Sequence, residues 1–181
     1  MKNENPFSFR RVTTIPYWFP SESSEGELLL LVERFEQCRR VAQIVGPHGT
    51  GKSTLLDALI GQLHRPVFKT VLRDRQRRLP PDFSARLKEY RNKNSVVVID
   101  GYEQLAVFSR LWLEWERRRF GFGLLITAHR PVLGLPILWE TAPSRETYNH
   151  ILRALLRDFL NGETEMHGTL RLLIIIRRII L

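Results

Sequence analysis

The chain alternates between short aliphatic runs and amphipathic segments. Mostly aliphatic runs occupy 41–45, 96–99 and 123–126, and their length is typical of buried strands. Two further runs, at 66–72 and 137–141, also predict strands. Because segments of helical periodicity separate these runs, the pattern predicts an α/β fold, a three-layer sandwich around a mostly parallel sheet of five or six strands.

The intervening segments predict helices over 27–37, 55–60, 80–90 and 104–120, and Ser144 is predicted to cap another helix. In the segment 104–120, five apolar side chains are expected to face the core: Leu105, Phe108, Leu111, Trp112 and Trp115.

The ends of the chain are less regular. We expect residues 1–27 to form an extended arm and 28–181 to form a single domain, with a last edge strand at 170–181. Tyr17 and Trp18 lie in a proline-flanked stretch, where they either pack on the domain or stack on a base.

A glycine-rich segment follows the first predicted strand and precedes a helix. It fits the pattern G-x-x-x-x-G-K-[ST], known as Walker A, in which backbone N–H groups surround phosphates. A lysine at this position reaches the β- and γ-phosphates, and the following hydroxyl binds Mg²⁺. The predicted phosphate-binding residues are Gly46, Pro47, His48, Gly49, Thr50, Gly51, Lys52, Ser53 and Thr54.

A carboxylate ends the most aliphatic predicted strand. Asp100 follows Val96–Ile99, and ligands of open parallel sheets bind at this end of the strands. The segment therefore predicts a Walker B motif, in which Asp100 holds Mg²⁺ through water opposite Ser53. Glu103 is three residues further on, where it either polarises an attacking water or caps a helix.

Polar residues also follow the strand at 123–126. Thr127 and His129 are candidates for sensing the γ-phosphate, and the alternative is that they cap the loop. The predicted catalytic residues are accordingly Lys52, Glu103 and His129.

Composition restricts the class of protein and the kinds of site that the chain can contain. Hydrophobic residues make up 43% of the 181-residue chain and charged residues 26%, as expected for a globular protein. Cys38 is the only cysteine, so an internal disulfide and a cysteine zinc site are excluded. No apolar run is long enough to span a bilayer, and the N-terminus lacks a signal-peptide core, so we expect a cytoplasmic protein.

The net charge is +9, with the basic residues partly clustered. Such clusters either are solvated surface or contact the phosphates of a nucleic acid. The candidate contacts are Arg73, Arg75, Arg77, Arg78, Arg117, Arg118 and Arg119.

Three parts of the sequence together resemble one division of the P-loop ATPases, which has an additional strand between the Walker strands and includes ABC ATPases, AAA proteins and the STAND/NACHT group. They are the loop Gly46–Thr54, Asp100, and the strand end Thr127–Arg130. The segment Asp100–Glu103 is similar to the NACHT form of Walker B, D-G-x-[DE]. The segment 125–131 is similar to the T-S-R-P segment of that group and to the switch-histidine segment of ABC ATPases.

Three functions are compatible with these features. The first is an ATPase that binds ATP and Mg²⁺ and serves as a switch or motor module for a protein partner or a homo-oligomer. The second is a small-molecule or nucleotide kinase, for which residues 73–81 are the candidate lid. The third is an ATP-dependent nucleic-acid-binding protein that uses the two arginine clusters.

Overall fold

A computed structural model describes residues 16–19 and 24–162 of the chain. The described residues fall into two compact units, 16–143 and 144–162. The predicted edge strand at 170–181 and most of the predicted arm lie outside the described residues, and the predicted domain bounds stay a prediction. Within the described part, no helix has the length and apolar character that crossing a bilayer requires.

Unit 16–143 is built from five strands and four α-helices. The strands are β1 (Val41–Val45), β2 (Val67–Val71), β3 (Val96–Asp100), β4 (Gly123–Ala128) and β5 (Ile137–Glu140). The helices are α1 (Ser24–Gln37), α2 (Lys52–Gln62), α3 (Phe83–Leu87) and α4 (Val107–Phe120), and short 3₁₀ helices cover Lys88–Tyr90 and Tyr102–Gln104.

The described strands form one parallel sheet in the order β2-β3-β4-β1-β5. The α/β fold class is therefore confirmed. Strand β4 lies between β1 and β3. It is the additional strand that the sequence resemblance implies.

Each face of the sheet carries its own hydrophobic core. Val96 and Val98 of β3 pack with α1 and α2, whereas Val97 and Ile99 pack on the opposite face with α3 and α4. Successive side chains of a strand point to opposite faces. The continuous aliphatic run of β3 is therefore the consequence of burial on both sides.

Four predicted helices differ from the structure in their bounds. Helix α2 covers Lys52–Gln62 rather than 55–60. Helix α1 begins at Ser24 rather than at residue 27, with Glu25 and Glu27 in its first turn, where carboxylates are favoured by the helix dipole. The predicted helix over 80–90 is a five-residue α-helix continued by a 3₁₀ turn. Helix α4 begins at Val107 instead of 104 because Leu105 is extended.

The predicted inward face of α4 is wrong at three of its five positions. Leu105 is buried and Trp112 packs against the core, as predicted. Phe108, Leu111 and Trp115 are 85%, 61% and 52% exposed. The buried residues of this helix are instead Leu113 and Glu116. The extended backbone at Leu105 separates that residue from the helical repeat.

A charged residue can occupy the buried face of α4 because it has a partner. Glu116 is only 4% exposed. Its Oε1 accepts a hydrogen bond of 2.9 Å from Arg91, whose Nε lies 2.7 Å from Oε2. The pairing offsets the cost of burying the carboxylate, and no apolar pattern in the sequence could have predicted it.

Unit 144–162 contains one described helix, α5 (Arg145–Gly162). The Ser144 hydroxyl accepts a hydrogen bond of 3.0 Å from the Thr147 backbone N–H. The predicted N-terminal cap is thus confirmed.

Candidate functional site

The predicted site residues converge at one edge of the sheet. The glycine-rich loop follows β1, Asp100 ends β3, and His129 comes directly after β4. Because β3, β4 and β1 are adjacent parallel strands, their carboxyl ends bring these three segments together.

The glycine-rich loop packs closely on the residue after β5. A Cβ atom at Gly46 would lie 2.1 Å from Oγ1 of Thr141, so no larger residue fits without movement. Oγ1 of Thr141 also lies 2.6 Å from Oγ1 of Thr50, and the Thr50 hydroxyl donates to the Pro47 carbonyl at 2.8 Å. These contacts hold the glycine-rich loop against the residue that follows β5.

The N-terminus of α2 opens into the loop. Gly51 precedes the helix in a left-handed conformation, with φ 83°, and supplies no side-chain cap. The first backbone N–H groups of α2 consequently remain available to an anion. The Tyr17 ring lies against Gly51, at 3.2 Å from the position of a Cβ atom there.

Tyr17 is fixed by aromatic packing rather than free. Its ring meets Phe19 edge-on at 4.9 Å, and its hydroxyl accepts a 3.1 Å hydrogen bond from Nε1 of Trp139. Burial raises the pKa of the Tyr17 hydroxyl, and the Trp139 hydrogen bond lowers it by less. The contacts match the predicted packing on the domain, and stacking on a base stays a prediction.

Lys52 is directed back into its own loop. Its ammonium group donates to the carbonyl oxygens of Gly46 and Pro47 at 2.6 and 2.5 Å. The side chain is largely buried. Burial lowers the pKa of the Lys52 ammonium, and the carboxylates of Glu103 and Asp100 offset part of that shift.

His129 connects Lys52 to Glu103. Its Nδ1 lies 3.3 Å from Nζ of Lys52, and its Nε2 lies 2.9 Å from Oε1 of Glu103. A neutral ring protonated on Nε2 satisfies both contacts, since Nδ1 then accepts from the ammonium. The His48 ring lies against it at an interplanar angle of 43°, with the ring centroids 3.5 Å apart.

Glu103 is directed at His129 rather than at a helix end. It lies in the 3₁₀ helix after β3, and α4 begins after Ala106 without a side-chain cap. Its Oε2 atom is buried and has no hydrogen-bond partner among the described residues. This geometry favours a role in the site over the capping alternative.

Asp100 is held by Thr127. The Thr127 hydroxyl donates to Oδ1 of Asp100 at 2.5 Å and accepts from the Gly101 N–H at 2.9 Å. Thr127 thus orients the carboxylate, and its sensing of the γ-phosphate stays a prediction. Ser53 is exposed in the first turn of α2.

Comparison with known proteins agrees with this architecture. Residues 42–110 match the family model of the ATPase family associated with various cellular activities (AAA). This span includes the whole glycine-rich loop, Asp100 and Glu103. The chain is a P-loop NTPase.

Solved structures support the fold of this P-loop NTPase. Two mutant forms of RuvB from Thermotoga maritima superpose with TM-scores of 0.53 and 0.52, at 20% identity. The alignments cover 75% of this chain and 52% of each RuvB chain, so the protein spans about half the length of these structures. A search of curated proteins found no match.

The two arginine clusters of the P-loop NTPase lie at opposite ends of the strands. Arg73–Arg78 follows β2 and thus lies at the carboxyl edge, together with the site. Arg117–Arg119 ends α4, which leads back to the start of β4 at the other edge. The clusters therefore cannot form one continuous surface in a single chain.

The clusters also differ in their partners. Arg117 and Arg118 both pair with Glu114, and Arg119 lies over the rings of Trp115 and Phe120. Among the described residues, no carboxylate pairs with the arginines of the other cluster, Arg73, Arg75, Arg77 and Arg78.

Two residues important to the site were missed in the sequence. Thr141 is the residue that Gly46 packs against, and its position at the end of a predicted strand was the only available signal. Arg110 donates to the carbonyl oxygens of Glu103 and Leu105, both at 2.8 Å. Nothing in the sequence distinguishes Arg110 from the other arginines.

Proposed function

We propose that the protein binds and hydrolyses Mg-ATP, as a switch or motor module for a protein partner or an assembly of its own copies. One observation carries this proposal: Lys52, His129 and Glu103 form a continuous chain of polar contacts at the mouth of the glycine-rich loop. The match to an ATPase family model supports the same reaction class.

The residues at this edge fit a nucleotide with its metal. The loop is closed from behind by Thr141 and offers the uncapped N-terminus of α2 to phosphate oxygens. The Ser53 hydroxyl and the Asp100 carboxylate are oxygen ligands of the kind that Mg²⁺ prefers, with water completing its coordination. When bound, Mg²⁺ would neutralise charge that develops on the phosphates.

Lys52 would change partners when phosphates enter. Its ammonium group now satisfies the carbonyls of Gly46 and Pro47 and would donate to phosphate oxygens instead. Phosphates also favour the charged form, so they would oppose the effect of burial on the Lys52 pKa. His129 would then be released from Lys52 to sense the γ-phosphate.

Glu103 is the best-placed base for an attacking water. Its Oε1 is oriented by His129 at 2.9 Å. Its Oε2 is buried without a described partner, so a water molecule admitted to the site would find a free acceptor there. A carboxylate held in this way can take up a proton as the water attacks. We assign His129 the role of orienting Glu103 and reading the γ-phosphate.

The kinase alternative depends on a lid over the phosphates, and the contacts of the candidate lid do not favour it. The Arg75 N–H donates to Oε1 of Gln104 at 3.2 Å, and the Arg77 carbonyl accepts from the Ala106 N–H at 2.9 Å. The segment is therefore tied to residues 104–106 rather than to the glycine-rich loop.

Phosphate release from ATP by the pure full-length protein tests the proposal. We expect Mg²⁺-dependent release with water as the acceptor, and loss of release in Lys52→Ala. The exposed Lys88→Ala variant is the matched control and should retain full activity. A folded protein that releases phosphate only to an added small acceptor would identify a kinase instead.

A further inference from the structure

An open groove lies beside Glu103, between the segment Arg73–Arg78 and the start of α4. Its volume is about 800 Å³. Its lining includes Arg75 and Arg77 on one side, Val107 and Phe108 on the other, and Glu103. This combination of unpaired arginines and exposed apolar side chains is not used by the proposed hydrolysis.

The basic wall of the groove is built rather than incidental. Arg75 has a left-handed backbone, with φ 66°, and its N–H is bonded to Gln104. The Arg77 carbonyl is bonded to the Ala106 N–H. These two hydrogen bonds hold the arginine-rich segment against the start of α4. A turn that is merely solvated needs no such contacts.

The charges on this wall lack internal compensation. Arg75 and Arg77 are exposed, and no described carboxylate forms an ion pair with either. Asp74 is the only acidic residue of the segment, and Glu103 is engaged with His129. A guanidinium group grips phosphate oxygens in pairs, which makes this wall suited to a polyanion.

The opposite wall presents an aromatic ring to solvent. Phe108 is 85% exposed and Val107 65% exposed at the first turn of α4. An exposed ring beside cationic side chains is the arrangement on which unpaired bases stack while their phosphates are neutralised. In a duplex the faces of the bases are already stacked on each other and cannot use such a ring.

We infer that this groove binds single-stranded nucleic acid, with phosphates on Arg75 and Arg77 and a base on Phe108. This inference goes beyond the proposed hydrolysis and does not depend on it. It uses only one of the two candidate clusters, since Arg117, Arg118 and Arg119 end α4 at the opposite end of the strands.

Fluorescence anisotropy with a labelled oligothymidylate of about 20 nucleotides tests the inference on the full-length protein. The double variant Arg75→Ala/Arg77→Ala should weaken binding at least about tenfold. It should also lower the slope of log affinity against log salt by about 1.4, since two phosphate contacts are lost. The control Arg118→Ala/Arg119→Ala removes the same charge at the opposite edge and should leave the slope nearly unchanged.

Phe108→Ala tests the stacking contact separately from charge. It should weaken oligothymidylate binding by about five- to tenfold without changing the salt slope. Leu111→Ala removes an exposed apolar side chain of the same helix outside the groove lining, and it should bind as the parent does.

Four results would overturn the inference. The first two are equal losses of binding in the two double-arginine variants and no detectable binding at low salt. The third is duplex DNA that binds as tightly as the single strand and whose binding is unchanged in Phe108→Ala. The fourth is polyglutamate that competes as well as the oligonucleotide and whose binding is equally weakened by Phe108→Ala. The last result would identify the groove as a surface for an acidic protein. ATP affinity measured on the same variants separates failure of this inference from failure of the proposed hydrolysis.

Discussion

At the residue scale, the proposed chemistry depends on three side chains, and identifiable neighbours hold each of them. Lys52 is held by carbonyls of its own loop, Glu103 by His129, and Asp100 by Thr127. Because the three side chains have different proposed roles, substitutions should separate nucleotide binding, metal binding and turnover.

Glu103→Gln separates turnover from binding. The amide keeps an oxygen that can accept from Nε2 of His129 but cannot take up a proton. We therefore expect ATP binding to persist while the rate of phosphate release falls by about a hundredfold or more. Steady-state phosphate release and the affinity for a fluorescent ATP analogue measure the two effects.

Glu89→Gln is the matched control, because Glu89 is exposed in the 3₁₀ turn after α3. It should leave both quantities unchanged. If Glu103→Gln hydrolysed ATP at the parental rate, Glu103 would not be the general base, and His129 would be the next candidate for positioning water.

Asp100→Asn should affect the metal more than the nucleotide. Only the ionised carboxylate strongly favours a hydrated cation, so ATP affinity should fall in the presence of Mg²⁺ and change little in EDTA. Titration calorimetry under both conditions measures this difference. Asp82→Asn, at an exposed site in a loose pair with Arg86, is the control. Equal losses with and without Mg²⁺ would make Asp100 a structural residue.

At the scale of single elements, the strands were predictable and the inward face of α4 was only partly so. The aliphatic run 96–99 appears in the structure as β3, buried on both faces, and the loop pattern fixed the start of α2. The prediction for α4 failed in part because its buried face contains Glu116, whose partner Arg91 is 25 residues away in the chain. Pairing over such a distance leaves no trace in local periodicity.

The same limit applies to the candidate site. The order of strands and motifs placed Lys52, Asp100, Glu103 and His129 at one edge. It could not assign Thr127 to Asp100 rather than to a phosphate, because that depends on a side-chain rotamer.

Arg91→Ala should destabilise the docking of α4. Removing one partner leaves the Glu116 carboxylate buried without a counter-charge, which costs on the order of 3 kcal/mol. Chemical denaturation measures the free energy of unfolding. The exposed pair of Arg86 and Asp82 provides the control, and Arg86→Ala should cost well under about 1 kcal/mol. The double variant Arg91→Met/Glu116→Leu should recover most of the loss. If Arg91→Ala were as stable as Arg86→Ala, the pair would not account for the phase of α4.

At the scale of the whole molecule, one sheet edge carries both the glycine-rich loop and the arginine groove, and they meet at Glu103. Arg110 donates to the Glu103 carbonyl and also lines the groove. A ligand in the groove and a nucleotide in the loop would consequently contact the same short segment, Glu103–Arg110.

Binding of Mg-ATP should stabilise the folded chain as a whole. A ligand that binds only the folded state at about 100 times its dissociation constant adds about 2.7 kcal/mol. For a chain of this size that corresponds to a rise in Tm of roughly 5 to 10 °C. Thermal unfolding monitored by circular dichroism, with and without Mg-ATP, measures the shift.

Two controls make this measurement specific to the loop. Lys52→Ala should unfold near the parental Tm without ligand, because removal of the ammonium group relieves the cost of its burial while losing its bonds to Gly46 and Pro47. It should then gain little or nothing from Mg-ATP. Lys88→Ala should gain as much as the parent. An equal rise in Lys52→Ala and the parent would mean that the nucleotide is bound elsewhere, and the loop Gly46–Thr54 would lose its proposed role.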